Sequence, residues 1–175
     1  MKNMIVLVDE NDKDIGQEEK IKAHELGLLH RAFSVLVFND KNETLIQKRH
    51  SSKYHCGGLW ANTCCSHPFP NEDTIDAAHR RLQEELGFDC DLKEIFSFTY
   101  KKYFEDSKLY EHEFDHVFVG NYNGEINPNP EEIEDTKWIS LEDLKKDMEK
   151  NPDSYAYWFK KIIEKLDEHH KSIAS

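Results

Sequence analysis

The stretch EDTIDAAHRRLQEELGF, residues 72–88, carries the pattern on which the fold reading turns. Ile75, Ala78, Leu82 and Leu86 recur at helical spacing and mark one apolar face. Asn71 or Asp73 is available to cap the start, and Gly87 to stop the end. Arg81, Glu84 and Glu85 stand at i, i+3 and i+4, so they share a separate polar face. The plainest account of that face is a solvated surface with an Arg81–Glu85 ion pair, worth only a few tenths of a kcal/mol.

On either side of this helix the chain reads as strands. Met4–Val8 is a short apolar run, and Asp9–Gly16 is polar turn material. Ala32–Phe38 and Thr44–Arg49 form a hairpin about Asp40–Asn42. His50–Ala61 is a loop broken by Gly57 and Gly58. After the helix, Leu92–Phe104 and Tyr110–Tyr122 read as two long strands, 121–134 as a loop, and Thr136–Ile139 as one more strand. Ser140, with Asp143 three residues on, caps a helix over Leu141–Glu149. Tyr155, Trp158, Phe159, Ile162, Ile163 and Leu166 line one face of a last helix. With no repeat and no break in composition, residues 1–175 read as one domain of mixed α and β structure, its polar tail 167–175 apt to fray.

The chain has 175 residues, long enough for a sizeable core. Its 10 Phe, 7 Tyr and 3 Trp are too many for a disordered polymer. Lys and Arg number 23 against 35 Asp and Glu, a formal charge of −12 that disfavours nucleic acid and anionic membranes as partners. No apolar run reaches the roughly 20 residues of a membrane span, and Met4–Val8 is too short for a signal peptide. Cys56, Cys64, Cys65 and Cys90 include no C-x-x-C pair, so neither a disulfide framework nor a zinc ribbon is expected. A reducing, cytoplasmic setting is the simplest expectation.

Two further segments are dense in reactive side chains. In Asn62-Thr63-Cys64-Cys65-Ser66-His67-Pro68, an extended backbone turns Cys65 and His67 to the same side and Cys64 away. A cysteine alone is ordinarily a small buried hydrophobe; the imidazole two residues on is what makes this one notable. In Tyr110-Glu111-His112-Glu113-Phe114-Asp115-His116, a strand puts Glu111, Glu113 and Asp115 on one face. That is either an exposed acidic face or, because like charges along one face repel, a carboxylate set held by a metal. His24 and His30 are available as imidazole ligands of zinc, manganese or iron.

Residues 72–88 resemble the Nudix box, G-x5-E-x7-R-E-U-x-E-E-x-G-U with U bulky and aliphatic. Glu72, Arg80, Leu82, Glu84, Glu85 and Gly87 match. Ser66 replaces the first Gly, and Arg81 replaces a metal-binding Glu. A cation there repels metal, so the helix is a damaged hydrolase site or one reassigned to bind diphosphate directly. Together with Leu28-Leu29-His30-Arg31-Ala32-Phe33-Ser34-Val35, the thiol–imidazole segment and Glu111-His112-Glu113, the chain from Lys20 to Trp158 resembles the type 1 isopentenyl-diphosphate isomerases.

That resemblance implies a Nudix-like α/β/α sandwich with a mixed sheet. It implies a double-bond shift from isopentenyl to dimethylallyl diphosphate through a tertiary carbocation, in isoprenoid biosynthesis. Cys65 and Glu113 match the catalytic pair, one on each side of the substrate. Tyr100, with Tyr103 as the nearby alternative, matches the tyrosine beside the glutamate. His24, His30, His67, Glu111 and Glu113 match the ligands of one Zn²⁺ or Mn²⁺. Glu85 matches a ligand of Mg²⁺ bridging to the substrate phosphates. Lys20, Arg49, Lys53 and Arg81 match diphosphate-binding cations; read without the resemblance, the first three are ordinary surface charge. Trp158 matches an aromatic facing the carbocation, although its spacing alone reads as core. Glu84 is expected to be structural or solvent-facing, and the other histidines, among them His55 and His170, carry no assignment. The substrate is then a small isoprenoid diphosphate, with no flavin, no nucleic acid and no membrane, and a monomer is favoured. Two competitors remain: a Nudix hydrolase, in which Cys65 has no task, and a metal- or phosphate-binding protein without turnover.

Overall fold

The computed structural model describes residues 3–53 and 56–174, without the side chains of 170–174. His55, Ser175 and the His170 side chain lie outside the described residues. In chain order the elements are β1 (Met4–Val8), β2 (Asp14–Glu19), α1 (Lys20–Leu26), β3 (His30–Phe38), β4 (Glu43–Arg49), β5 (Trp60–Ala61) and β6 (Cys64–Ser66). Then come α2 (Thr74–Leu86), β7 (Leu92–Phe104), β8 (Leu109–Asn121), β9 (Ile133–Ser140), α3 (Leu141–Lys150), a 3-10 turn at Pro152–Ser154 and α4 (Tyr157–Ala174). Among the described residues, no helix is long and apolar enough to cross a membrane.

β3 is the hub of the sheet. Along one edge it runs parallel to β8, from His30 opposite Glu113 to Phe38 opposite Asn121. The other edge is shared in thirds, with β1 at His30, β6 across Phe33–Val35 and β4 at Phe38. β4 therefore leaves β3 at once and pairs with β9 and β5 instead. Side chains close the gap that this opens. Thr63 Oγ1 accepts from Val37 N at 2.9 Å and donates to Leu45 O at 2.6 Å. Asn62 Nδ2 donates to Val35 O and Cys64 O, and Gln47 Nε2 donates to Thr63 O at 2.7 Å. Buried polar side chains thus stand in for missing ladder bonds.

Alternation along β3 builds two cores. Phe33, Val35 and Val37 pack with Leu45 and Cys64 against Ala77, Ala78, Leu82 and Leu86 of α2. Leu36 packs with Ile46 and Val117 against Leu144 of α3 and Phe159, Ile162 and Leu166 of α4. This is the expected α/β/α layering with a mixed sheet. Gly87 ends α2 at φ 71°, and a Cβ there would stand 2.9 Å from Asn127 Cβ. Its absence lets the segment before β9 dock on the helix end, where Asn127 N and Asn129 N bond to Leu86 O and Glu85 O, each at 2.8 Å.

Several boundaries differ from the sequence reading. Asp14–Glu19 is strand β2, polar because it pairs only with β1. Ile75 is exposed, and Ala77 takes its place against the sheet. β9 starts at Ile133, earlier than expected, since it pairs with β4 as far as Arg49. Tyr155 is buried ahead of α4, held by a bridge to Trp60. The tail stays helical to Ala174. Ser140 caps α3 as expected, accepting from Asp143 N at 3.2 Å.

Candidate active site

Strand register assembles the centre. Glu113 on β8 lies opposite His30 of β3 on one side and Tyr100 of β7 on the other. Tyr100 Oη donates to Glu113 Oε1 at 2.7 Å and is buried, whereas Tyr103 is exposed. The acidic face of β8 is turned inward: Glu111, Glu113 and Asp115 are all buried. Burial pushes Glu113 up, but its polar neighbours Glu111, His30 and His67 outweigh it and hold the carboxyl well below the usual range. Burial and the Glu113 charge push the Tyr100 phenol well up.

His24 on α1, His30, His67, Glu111 and Glu113 converge so that one ligand atom from each lies within 4.8 Å of all the others. His24 Nδ1 faces Lys20 O at 2.6 Å and His30 Nδ1 faces Leu28 O at 2.9 Å. Each carbonyl needs an N–H donor, which leaves Nε2 of a neutral ring as a lone pair. Those Nε2 atoms point at carboxylates, His24 at Glu111 (3.6 Å) and His30 at Glu113 (3.5 Å). His67 Nε2 lies 3.1 Å from the same Glu113 oxygen. His30 Nε2 is buried with no hydrogen-bond partner among the described residues. Lone pairs aimed at carboxylates in a buried pocket repel unless a cation lies between them, so the cluster fits a metal ion. Burial drives the His67 pKa down to about 3, which keeps its ring neutral and fit to bind metal.

Beside the cluster a cleft opens at the β3–β4 split. Cys65, His67, Glu111 and Glu113 line it together with Arg49, Trp158, Lys20, Lys53, Arg81 and Glu85. Cys65 is half-buried, and burial outweighs the Arg49 charge to push its thiol up to about 12. Cys64 turns to the opposite side, into the α2 core, as the alternation required. Arg49 Nη1 is 3.7 Å from Cys65 Sγ, and its guanidinium carbon is 4.9 Å from the Trp158 ring centre. Trp158 Nε1 donates to the buried Asn62 Oδ1 at 3.1 Å. Arg81 donates to Glu85 Oε2 at 2.9–3.0 Å and to the half-exposed Glu84 at 2.8 Å. Gln47 Nε2 and Cys64 Sγ also donate to Glu85, each at 3.3 Å. Burial, and then the Lys53 charge, lower the Lys20 pKa, the mark of a crowded cationic pocket.

Three features escaped the sequence reading. Glu132, inside a segment read only as loop, pairs with Lys53 and stands 3.5 Å from Arg81 Nη2. Ser34 Oγ donates its one proton to the buried Asp115 carboxylate, lying 2.8 and 3.0 Å from its two oxygens. Glu72 and Arg80 of the box do structural work: Arg80 makes two 2.9 Å bonds to Glu72, which itself accepts from Phe69 N. No local pattern announced the first two, because their partners lie far away in sequence.

The family model for the NUDIX domain matches residues 28–159. The chain is 49% identical over 166 residues to isopentenyl-diphosphate delta-isomerase 2 of Aromatoleum aromaticum, covering 95% of this chain and 87% of that protein. It is 43% identical over 166 residues to the isopentenyl-diphosphate delta-isomerase of Serratia proteamaculans, covering 95% and 92%. Among solved structures, DR0079 from Deinococcus radiodurans has a TM-score of 0.77 at 18% identity over 93% of this chain and 98% of that one, a likeness of fold.

Proposed function

This chain belongs to the type 1 isopentenyl-diphosphate isomerases, built on the NUDIX domain, and from that premise we propose how its cleft carries the reaction. The enzyme interconverts isopentenyl and dimethylallyl diphosphate. Shifting the double bond needs one proton added and another removed, with a tertiary carbocation between. Cys65 and Glu113 are the two proton-handling groups. The reaction runs both ways, so each is acid in one direction and base in the other. Tyr100, hydrogen-bonded to Glu113, orients that carboxylate and relays its proton. An alkene is a very weak base, so the donor must be held close in a water-poor cleft. Half-buried Cys65 and buried Glu113 suit that demand.

Lys20, Arg49, Lys53 and Arg81 take the diphosphate. Trp158 offers its π face to the carbocation, worth about 2 kcal/mol when desolvated. His24, His30, His67, Glu111 and Glu113 would hold one zinc or manganese ion, and Glu85 would hold Mg²⁺ with the substrate. Bound there, such ions supply positive charge that lowers the proton affinity of the carboxylates and neutralises phosphate oxygens. The reading also takes the chain as one catalytic domain acting as a cytoplasmic monomer. The observation that carries it is a thiol and a tyrosine-bonded carboxylate opening onto one cleft that is also lined by Lys20, Arg49, Lys53 and Arg81. A hydrolase reading is disfavoured, because Arg81 stands in place of a metal-binding carboxylate.

The test is proton NMR of isopentenyl diphosphate with the enzyme and Mg²⁺ in deuterated water. The expected result is deuterium-bearing dimethylallyl diphosphate without free phosphate. Released phosphate would point to hydrolysis, and no change in metal-replete protein would leave a binding role.

A further inference from the structure

One charged group in the cleft has no part in the chemistry above. The Glu132 carboxylate sits among the cations assigned to the diphosphate. Its Oε2 bonds Lys53 Nζ and stands 3.5 Å from Arg81 Nη2. Its backbone is fixed from two directions. His50 N, just past β4, donates to Glu132 O at 3.1 Å, and Glu132 N donates to Asn129 O at 3.0 Å. Asn129 N in turn donates to Glu85 O on α2, the helix that carries Arg81. The close approach at Gly87 is what allows this docking. A carboxylate held so firmly between two elements is part of the built site, and its side chain is only 26% exposed.

We infer that Glu132 is an internal counter-anion of the diphosphate subsite. It occupies Lys53 and Arg81 while the cleft is empty and must yield them to an incoming ligand. The inference rests on the proposed diphosphate role of those two cations. Three physical points support it. The carboxylate is ionised at neutral pH: burial raises its pKa, but Lys53, Arg81 and Lys20 outweigh that and hold it below the usual range. Unpaired cations gathered in a cleft would repel one another, and a fixed carboxylate removes that cost and keeps both side chains aimed. A ligand enters by exchange, so its own charge has to beat the ion pairs it replaces. Pyrophosphate, which carries more negative charge at neutral pH, makes that exchange; orthophosphate, which carries less, makes it poorly. Glu132 then acts as a specificity-determining residue, restricting the subsite to diphosphates.

The experiment is calorimetric titration of inorganic pyrophosphate and of orthophosphate into the full-length protein without added Mg²⁺. Wild type is compared with Glu132→Gln and with Glu84→Gln, which removes the outer, half-exposed carboxylate on the same Arg81. Glu132→Gln should bind pyrophosphate about tenfold more tightly and orthophosphate by a larger factor, so that discrimination between the two narrows. Glu84→Gln should change neither by more than about twofold, because exposed pairs are screened. Glu132→Ala should repeat the sign of Glu132→Gln, with thermal unfolding confirming that both are folded. Unchanged or weaker binding in Glu132→Gln, with pyrophosphate still binding to wild type, overturns this inference alone. An equal gain in Glu84→Gln also overturns it, as a general charge effect. Pyrophosphate binding to neither protein overturns the diphosphate reading and this inference together.

Discussion

Replacing Trp158 separates its two attributes, a π face and an indole N–H. The residue is 4% exposed, bonds Asn62 Oδ1 at 3.1 Å and lies 4.9 Å from the Arg49 guanidinium. Trp158→Phe and Trp158→Leu both delete the N–H and leave the buried Asn62 oxygen without that donor, at a cost of about 1–3 kcal/mol in stability. In a chain of this size each kcal/mol lowers Tm by about 2–4 °C, so both variants should melt several degrees early. Only the leucine also deletes the π face. A desolvated cation–π contact is worth about 2 kcal/mol, and about 1.4 kcal/mol is a tenfold change in rate. Trp158→Leu should therefore turn over about 30-fold more slowly than Trp158→Phe at saturating isopentenyl diphosphate. Steady-state kcat for the pair, with Tm as the check on folding, reads this directly. Equal kcat values in the two variants would refute the carbocation role and leave Trp158 as a packing residue of α4.

Cys65→Ser should keep pyrophosphate affinity within about twofold while lowering isomerisation by at least about 10³-fold, measured by deuterium incorporation. The metal should be released as pH falls, because protons compete for its imidazoles. Hydrogen bonding and charge from Glu111 raise the His24 pKa against its burial, so His24 protonates before His67, whose value is about 3. Chelator competition between pH 7 and 5 should show affinity falling by about one power of ten per pH unit, and His24→Asn should flatten that slope. The hydrogen bonds from Arg80 depress the Glu72 pKa, so their stabilisation is full above the unfolded value near 4.5 and is lost as pH falls through the lower folded value. Glu72→Gln should then lower Tm by a few degrees at pH 7, and the deficit should shrink as pH falls below about 4.5.

The site was legible in the sequence because its chemistry is carried by short, dense strings. Cys65 with His67 and Glu111 with Glu113 each needed only the period of a strand to face one way. What those strings could not give was their mutual placement. Nothing near Glu113 says that His30 is its neighbour across a parallel pair and Tyr100 across an antiparallel one. The acidic face of β8 read equally well as solvated, and its burial among the histidines is a tertiary fact. β2 was missed because a strand paired only with β1 at the sheet edge needs no apolar side. Glu132 was missed because it lies among Asn, Pro and Glu, where loop composition hides a residue fixed by the end of a helix more than forty positions away.

The parallel register of β3 on β8 works as an address. Sliding the strands by one residue would set His30 beside His112 or Phe114 in place of Glu113, and would turn the acidic side chains to the wrong face. The apolar pairing objects as well, since Val117 and Phe118, which pack into different cores, would exchange faces. The buried histidines and carboxylates add a polar penalty to that slip. The residues proposed to handle the protons and hold the metal would therefore also help to proofread the fold, and a population refolded with Zn²⁺ or Mn²⁺ should return fewer inert molecules than one refolded without it.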